Sequence, residues 1–146
     1  MTKKDVKPLQ WFLDRTRAQA NAYARERDEN DPCISCGRFV NSSGLPLTWN
    51  GGHYRSAGNN PAIRFHPLNI HKQCVRCNQY YGGNHNGDGG GVGYTVGITN
   101  KLGADIVAWL NQDHGRADWT REELEHLYDW FRKERKKLAA KKMSAC

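Results

Sequence analysis

Two Cys-x-x-Cys pairs constrain the fold of this chain more than any other feature of its sequence. The first pair is Cys33 and Cys36, and the second is Cys74 and Cys77. Four thiolates in two close pairs suit a tetrahedral zinc ion, because the short spacing lets both sulfur atoms of a pair bind one metal. The sequence therefore predicts a structural zinc that holds the two ends of this segment together.

Disulfide bonds are the alternative use of these cysteines. The chain starts with polar residues, no apolar signal-peptide core follows, and no apolar run approaches the ~18 residues of a membrane span. We therefore expect an intracellular protein that does not associate with membranes. Its thiols would stay reduced, which favours zinc over disulfides. The fifth cysteine, Cys146, is expected to be a free thiol without a role.

The distribution of charge points to nucleic acid as a partner. The formal net charge is +7 and the pI is about 9.3. Between residues 32 and 104 the only carboxylate is that of Asp88. The same span carries the cations Arg38, Arg55, Arg64, Lys72, Arg76 and Lys101. A region with so few carboxylates does not repel phosphate, and acidic lipid or protein surfaces are the alternative partners.

The pattern of the chain predicts a single α+β domain over residues 1–146. Its predicted parts are an N-terminal helix over 9–30, a zinc-stapled core over 33–93, and C-terminal helices with a basic tail over 94–141. The two C-terminal helices are predicted at 94–113 and 120–141. The arginines of the N-terminal helix, Arg15, Arg17, Arg25 and Arg27, are expected to form a solvated face.

Local signals divide these parts further. A turn at residues 42–44 separates two predicted short strands, 38–40 and 45–49. Seven glycines lie between residues 82 and 93, which predicts a segment that is mobile or tightly wrapped. A capping-box sequence at residues 120–123 predicts the start of the last helix.

His53 lies between the cysteine pairs, and Asn78 directly follows the last cysteine. A histidine can act as a general base near neutral pH because its unperturbed pKa lies there. An asparagine oxygen is an acceptable ligand for a hard cation such as Mg²⁺ or Mn²⁺. The hypothesis is therefore a metal-dependent enzyme that hydrolyses phosphodiester bonds. The alternative for His53 is a histidine that packs or hydrogen-bonds without titrating.

These residues resemble the motif of the HNH, or ββα-metal, nucleases. The matching order is Cys33, Cys36, His53, Asn69, Cys74, Cys77 and Asn78. The asparagine directly after the last cysteine is similar to the phage T4 recombination endonuclease VII pattern. The resemblance implies a small zinc-bearing ββα-metal unit in which His53 activates water, Asn69 braces the loop and Asn78 binds the catalytic cation. It implies a purely structural zinc on the four cysteines.

A second resemblance covers residues 15 to 135. The matching segments are residues 24–28, 32–37, 52–55, 64–65, 69–75, 77–79, 83–84 and 119–120, and they resemble the lambdoid phage NinG (Rap) recombination proteins. This resemblance implies a structure-specific endonuclease that acts on branched DNA, such as Holliday junctions and D-loops. It also implies a phage-encoded protein that works in the cytoplasm of the bacterial host.

Gly52 is a departure from the HNH pattern. Many HNH nucleases carry an aspartate or histidine ligand just before the base histidine, and glycine offers no ligand atom. His85 is the candidate for a further ligand to the catalytic cation, with Asp88 behind it; the alternative for both is an ordinary polar loop residue. Lys101 and Asp105 are further candidates for the site. His71 is interpreted as a partner behind the site or as part of the wall around the zinc.

Candidate phosphate contacts are Arg55, Arg64, Lys72 and Arg76, with ordinary surface charge as the alternative. The basic run at residues 132–137 is either a solvated tail or a further DNA contact. Symmetric cutting of a four-way junction would favour a homodimer. Two alternative functions remain open: a non-catalytic zinc-ribbon protein that binds DNA as a recombination accessory, and a zinc-stapled protein-interaction module.

Overall fold

The computed structural model describes residues 6–80 and 93–145. Its helices and strands are α1 (Leu9–Arg27), β1 (Trp49–His53), β2 (Ile70–Cys74), α2 (Val75–Tyr80), α3 (Tyr94–Leu102), α4 (Ala104–Leu110) and α5 (Arg121–Ser144). Two 3₁₀ turns, Pro61–Ile63 and Pro67–Asn69, lie in the connection between the strands. This mixture of helices and a small sheet confirms the predicted α+β class.

The two strands form an antiparallel pair in which His53 of β1 lies opposite Ile70 of β2. Gly51 in β1 lies so close to α1 that a Cβ atom there would come within 2.7 Å of the Asn21 Cα atom. Glycine at this position therefore allows the helix to pack directly on the strand. Helix α2 begins immediately after β2, so strand, strand and helix follow one another along the chain.

Helix α1 packs on the sheet, and α5 packs on α1. The buried side chains between them are Ala20 and Ala24 of α1, Leu124 and Phe131 of α5, Ile70 of β2, and Phe65. The Thr16 hydroxyl, fully buried on α1, donates a hydrogen bond to the backbone oxygen of Leu124 at 3.2 Å. This apolar layer fixes α1 against β1, and it thereby determines which α1 side chains lie beside His53.

Helix α5 starts at the predicted capping box. The Thr120 hydroxyl accepts a hydrogen bond from the Glu123 backbone amide, and the Glu123 carboxylate accepts one from the Thr120 amide. The rest of the helix is rich in lysine and arginine. Among residues 6–80 and 93–145, no helix is both long and apolar enough to cross a bilayer.

Helices α3 and α4 enclose a second apolar cluster over the connection between the strands. Its fully buried members are Tyr54 and Ile63 of the connection, Tyr94 and Ile98 of α3, and Leu110 of α4; Val107 of α4 completes it. The Tyr94 hydroxyl donates a hydrogen bond to the Gly52 backbone oxygen at 2.6 Å. This hydrogen bond therefore ties β1 to the second cluster.

Three predicted elements differ from the structure. The first helix ends at Arg27 instead of residue 30, because the Asp28 side chain turns inward and the chain makes a tight turn there. The predicted helix 94–113 is two helices, since Gly103 adopts a φ of 91° and breaks the backbone pattern. The predicted strands 38–40 and 45–49 reduce to one bridge, between Val40 and Pro46, before β1.

Replacement of Gly103 by alanine is expected to destabilise the protein by about 1–3 kcal/mol, because its φ of 91° and ψ of 158° suit only glycine. Open space surrounds the position of the added methyl group, so backbone strain is the whole effect. Gly58→Ala is the matched control, since Gly58 also has open space but lacks a positive φ. Equal urea-unfolding midpoints for the two variants would show that the positive φ of Gly103 does not strain an alanine at this position.

Candidate functional site

The four cysteines come together as a buried cluster. Their sulfur atoms all lie within 4.8 Å of one another. The turn after α1 supplies Cys33 and Cys36, β2 ends at Cys74, and the first turn of α2 supplies Cys77. Around a tetrahedral zinc with Zn–S bonds of ~2.3 Å, sulfur atoms lie about 3.8 Å apart, so the donor set fits such an ion. The prediction that these four cysteines come together in a position to bind one metal ion is confirmed.

Hydrogen bonds prepare this cluster for a metal. The backbone amides of Cys36 and Cys74 point at the Cys33 sulfur at 3.5 and 3.3 Å, and the Cys77 amide points at the Cys74 sulfur at 3.4 Å. The Cys74 thiol donates to Cys33 and, with these amides, lowers the pKa of Cys33 to about 5 against the effect of burial. At neutral pH Cys33 is therefore a thiolate, the form in which cysteine binds a metal.

The ring of His53 is oriented by the loop between the strands. Its Nε2 atom lies 2.7 Å from the backbone oxygen of Arg64. Because a carbonyl oxygen can only accept, Nε2 carries the proton and donates. In the neutral imidazole this arrangement leaves the basic lone pair on Nδ1. The contact therefore selects the tautomer in which Nδ1 can take up a proton.

The surroundings of His53 also favour its neutral form. Burial lowers the pKa of His53, and the positive charges of Arg64 and Arg17 lower it further. The hydrogen bond to the Arg64 carbonyl opposes this shift, but the net direction is downward from the ordinary value of about 6.5. His53 is thus unprotonated at neutral pH, as a general base must be.

Asn69 ties together the loop that orients His53. Its fully buried side chain accepts a hydrogen bond from the Arg55 amide at 2.8 Å and donates to the Arg55 oxygen at 3.0 Å. It also donates to the Ile63 oxygen at 3.2 Å. These bonds join the start of the loop to the residue just before Arg64. Asn69 therefore holds in place the carbonyl group that fixes the His53 ring.

Helix α1 places Arg17 beside His53. Asn21 packs on Gly51; Arg17 lies one helical turn before Asn21, and His53 lies two residues after Gly51 on the same face of the strand. In agreement, the positive charge of Arg17 contributes to lowering the pKa of both His53 and Arg64. The Arg17 side chain is nevertheless exposed and pairs with Asp14 at 3.4 Å, as expected for a residue of the predicted solvated face.

The structure explains why position 52 is glycine. A Cβ atom at Gly52 would overlap the side-chain amide of Gln73 on the neighbouring strand. On the other side, the Gly52 carbonyl is bound by the Tyr94 hydroxyl. A side chain that carries a metal ligand therefore does not fit at this position without a shift of Gln73.

Asn78 lies in α2, one residue after the last cysteine, and its side chain is half-buried. Arg76 lies in the same helix and is exposed. The predicted further ligand His85 and the carboxylate of Asp88 lie outside the described residues. Asn78 is therefore the candidate cation ligand that the described part of the chain presents next to the cysteine cluster.

Two predicted phosphate contacts have partners within the protein. The Lys72 ammonium donates hydrogen bonds to the backbone oxygens of Glu29 and Asp31 at 3.1 and 2.8 Å and lies over the Trp49 ring. The Arg55 guanidinium contacts the side chains of Asn60 and Asn111 at 3.3 and 3.4 Å. Lys72 therefore stabilises the turn after α1, whereas Arg64 stays a candidate phosphate contact because its backbone oxygen lies against His53.

Asp28 is the centre of a buried polar cluster that joins α1, β2 and α3. Its carboxylate lies 2.7 Å from Arg27 Nε and 2.9 Å from Lys101 Nζ, and it accepts a hydrogen bond from the Lys72 amide at 3.0 Å. His71, predicted to lie behind the site or beside the zinc, has its Nδ1 atom 3.7 Å from this carboxylate. The structure thus places His71, Lys101 and Arg27 in a cluster that supports β2.

Replacement of Asp28 by asparagine is expected to destabilise the protein by about 3 kcal/mol at neutral pH, because Arg27 and Lys101 lose their shared counter-charge. Burial opposes ionisation of Asp28, but hydrogen bonds and charge from Arg27, with Lys101, hold its pKa well below the usual range. The carboxylate therefore contributes stability above the unfolded-state pKa of about 4 and loses that contribution as the pH falls further.

Urea unfolding of zinc-loaded wild type and Asp28→Asn at neutral pH measures this effect. Asp118→Asn is the control, because its ion pair with Arg116 spans 3.8 Å on the exposed surface. Removal of that pair is expected to change stability by less than about 1 kcal/mol. A loss of stability in Asp28→Asn no larger than that in Asp118→Asn would contradict the structural role of the Asp28 carboxylate.

The fold and the cysteine cluster define a small α+β protein with a site positioned to bind a structural metal. A family model described as Bacteriophage Lambda NinG protein matches residues 1–142. The chain belongs to the NinG family of bacteriophage proteins. The resemblance to NinG proteins predicted from the sequence segments is thereby confirmed.

Individual relatives match along most of the chain. It is 36% identical to Protein ninG of Escherichia phage 933W over 136 residues and 35% identical to Protein ninG of Escherichia phage lambda over 136 residues. These matches cover 93% of this chain, but 62% and 61% of the two relatives. The chain thus spans about three fifths of the length of the relatives it matches. No solved structure gives a significant match.

Proposed function

We propose that the chain is a metal-dependent DNA endonuclease of the HNH, or ββα-metal, type. The observation that carries the proposal is the orientation of His53, whose Nε2 donates to the Arg64 carbonyl and whose Nδ1 keeps the basic lone pair. The succession of β1, β2 and α2 supports the proposal. The brace that Asn69 builds across the loop supports it as well.

In the proposed reaction, water attacks the phosphorus atom as His53 Nδ1 takes up one of its protons. A new phosphorus–oxygen bond forms to the water oxygen, and the bond to the leaving oxygen breaks with its electron pair on that oxygen. Burial keeps the His53 ring neutral before the step. The hydrogen bond from Nε2 to the Arg64 carbonyl holds the ring in one orientation, as neutral imidazole before the step and as imidazolium after it.

The charge that develops on the phosphate needs positive partners. Arg64 and Arg17 flank His53 and are assigned to the phosphate oxygens on either side of the scissile bond. A hard cation such as Mg²⁺ or Mn²⁺, bound in part by Asn78, would stabilise the negative charge on the leaving oxygen. The cysteine cluster would hold zinc and fix α2, and with it Asn78, to the end of β2.

Branched DNA is the proposed substrate. This choice rests on the resemblance of the chain to phage recombination proteins and on its membership in the NinG family. Holliday junctions and D-loops expose the branch at which such an enzyme would cut. A phage protein of this kind would act in the cytoplasm of the bacterial host. A homodimer would match the two-fold symmetry of a four-way junction.

The alternative is a zinc-ribbon protein that binds DNA as a recombination accessory without cutting it. Gly52 favours this alternative, because glycine offers no ligand at a position that supplies one in many HNH nucleases, and a side chain there would require a shift of Gln73. The cation would then depend on Asn78 and on residues outside the described part of the chain. A cleavage assay distinguishes the two functions, since a nuclease and an accessory protein would both bind DNA but only the nuclease would cut it.

The proposal is tested by incubating an end-labelled four-way junction and a linear duplex of matched sequence with the full chain. The zinc-loaded protein is used with Mg²⁺, with Mn²⁺ or without added divalent cation. We expect cation-dependent cuts near the branch and slower cutting of the duplex. Binding without cutting in either cation would overturn the nuclease proposal in favour of the accessory protein. Equal cutting of both substrates would overturn the branch preference alone.

A further inference from the structure

A basic groove of about 1390 Å³ runs between α1 and the C-terminal half of α5. Eight of its lining side chains are lysine or arginine, and two are glutamate. Trp49 of β1 and Lys72 of β2 complete the lining. The α5 cations of the groove include members of the basic run at residues 132–137, for which a solvated tail or a further DNA contact was predicted. Trp49 also packs against the cysteine cluster.

Internal ion pairs neutralise both glutamates of the groove. Glu26 pairs with Arg135 at 2.7 Å, and Glu29 pairs with Lys142 at 2.6 Å. Five other lining cations have no ion pair within residues 6–80 and 93–145, namely Arg25, Lys72, Arg132, Lys136 and Lys141. Of these, Lys72 donates hydrogen bonds to backbone oxygens instead. The groove therefore carries an excess of positive charge that no carboxylate of the described chain balances, which is the electrostatic footprint of a polyanion site.

The groove lies further along α1 from the position where that helix passes His53. Arg17 lies beside His53, whereas Arg25 and Trp49 line the groove. Eight residues of helix separate Arg17 from Arg25, which corresponds to about 12 Å. The α1 side of the groove extends a further turn, so candidate site and groove together span about 20 Å, or roughly six base-pair steps of 3.4 Å.

We propose that this groove binds the phosphate backbone of a DNA segment next to the one that enters the candidate site. The inference rests on the proposed nuclease function, because the continuity with His53 is what selects DNA over an acidic protein. The phosphates would contact Arg25, Lys136 and Lys141, while the paired Arg135 and Lys142 hold α1 and α5 at a fixed separation. Such contacts are independent of base sequence and strongly dependent on salt.

Helix α5 offers a matched pair of variants. Lys136→Gln with Lys141→Gln removes two charges from the groove. Lys133→Gln with Lys137→Gln removes two charges from the same helix outside the groove lining, at the cost of one exposed pair between Lys137 and Glu134. Both double variants have the same net charge, so a difference between them reports position and not overall attraction.

Fluorescence anisotropy would measure binding of a labelled duplex and a labelled four-way junction over a range of salt concentrations. No divalent cation is added, so that binding is measured without cleavage; circular dichroism confirms that the variants are folded. We expect the groove variant to bind at least about tenfold more weakly at moderate salt. Its slope of log K against log salt should be smaller in magnitude by about 1.8, as expected for two lost phosphate contacts to duplex DNA.

The control variant is expected to keep a slope close to that of the wild type. Equal losses in the two variants, or no loss in the groove variant, would overturn the groove assignment even if wild type cuts DNA. Conversely, a selective loss in the groove variant together with the absence of cleavage by wild type would support the groove and refute the nuclease proposal. The outcomes therefore distinguish failure of the groove assignment from failure of the nuclease proposal.

Discussion

Replacement of His53 by alanine is expected to lower the rate of DNA cleavage about a thousandfold, the typical contribution of a positioned general base. The effect on chemistry is large because His53 is the residue whose Nδ1 would accept the proton of the attacking water. The effect on folding is expected to be moderate, since the side chain is only partly buried and its hydrogen bond goes to the Arg64 carbonyl. Single-turnover cleavage of a labelled four-way junction measures the rate.

His126→Ala is the matched control for this experiment, because His126 lies exposed on α5. It is expected to leave the rate unchanged. DNA binding and zinc content of His53→Ala should stay close to wild type, which separates loss of chemistry from loss of the site. Cleavage by His53→Ala at the rate of wild type would refute the role of His53 as the base.

Loss of one cysteine of the cluster is expected to have the largest effect on folding. Cys74→Ser removes one of the four sulfur ligands. It also removes the thiol whose hydrogen bond stabilises the thiolate form of Cys33. Structural zinc sites contribute on the order of 10 kcal/mol to folding, which is comparable to the whole stability of a domain of this size. We therefore expect Cys74→Ser to lack zinc and to be largely unfolded.

Zinc content by atomic spectroscopy and circular dichroism test this prediction together. Cys146→Ser is the control, since Cys146 is the one cysteine of the chain outside the two pairs. It is expected to bind zinc and fold like wild type. Addition of a strong chelator to wild type should reproduce the state of Cys74→Ser. A Cys74→Ser protein that is folded and free of zinc would show that the cluster is not a structural metal site.

The sequence was most informative where the chemistry is local. A Cys-x-x-Cys pair fixes its own geometry through a single turn, so the metal cluster could be predicted from spacing alone. The capping box at Thr120 and Glu123 is local in the same sense. The spacing of apolar residues predicted one helix across residues 94–113. The backbone conformation of Gly103 ends the helix within that range, and the apolar spacing does not show this break.

Contacts between distant segments could not be predicted in this way. Arg17 comes to lie beside His53 because α1 packs on β1, and no local pattern in the helix distinguishes Arg17 from an ordinary solvated arginine. The polar cluster at Asp28 likewise draws on three elements. The reason for Gly52 was also hidden, since the obstructing side chain, Gln73, lies on the other strand.

Neutral His53 is proposed to act as the general base for DNA cleavage. The most direct test is the single-turnover rate of junction cleavage by wild type at saturating Mg²⁺, measured from about pH 5 to pH 9. Burial and the charges of Arg64 and Arg17 lower the pKa of His53. The cleavage rate is therefore expected to rise with pH, to reach half its maximum below about pH 6.5 and to be level at neutral pH. A rate that continues to rise through pH 8, or no cleavage at any pH, would contradict this role of His53.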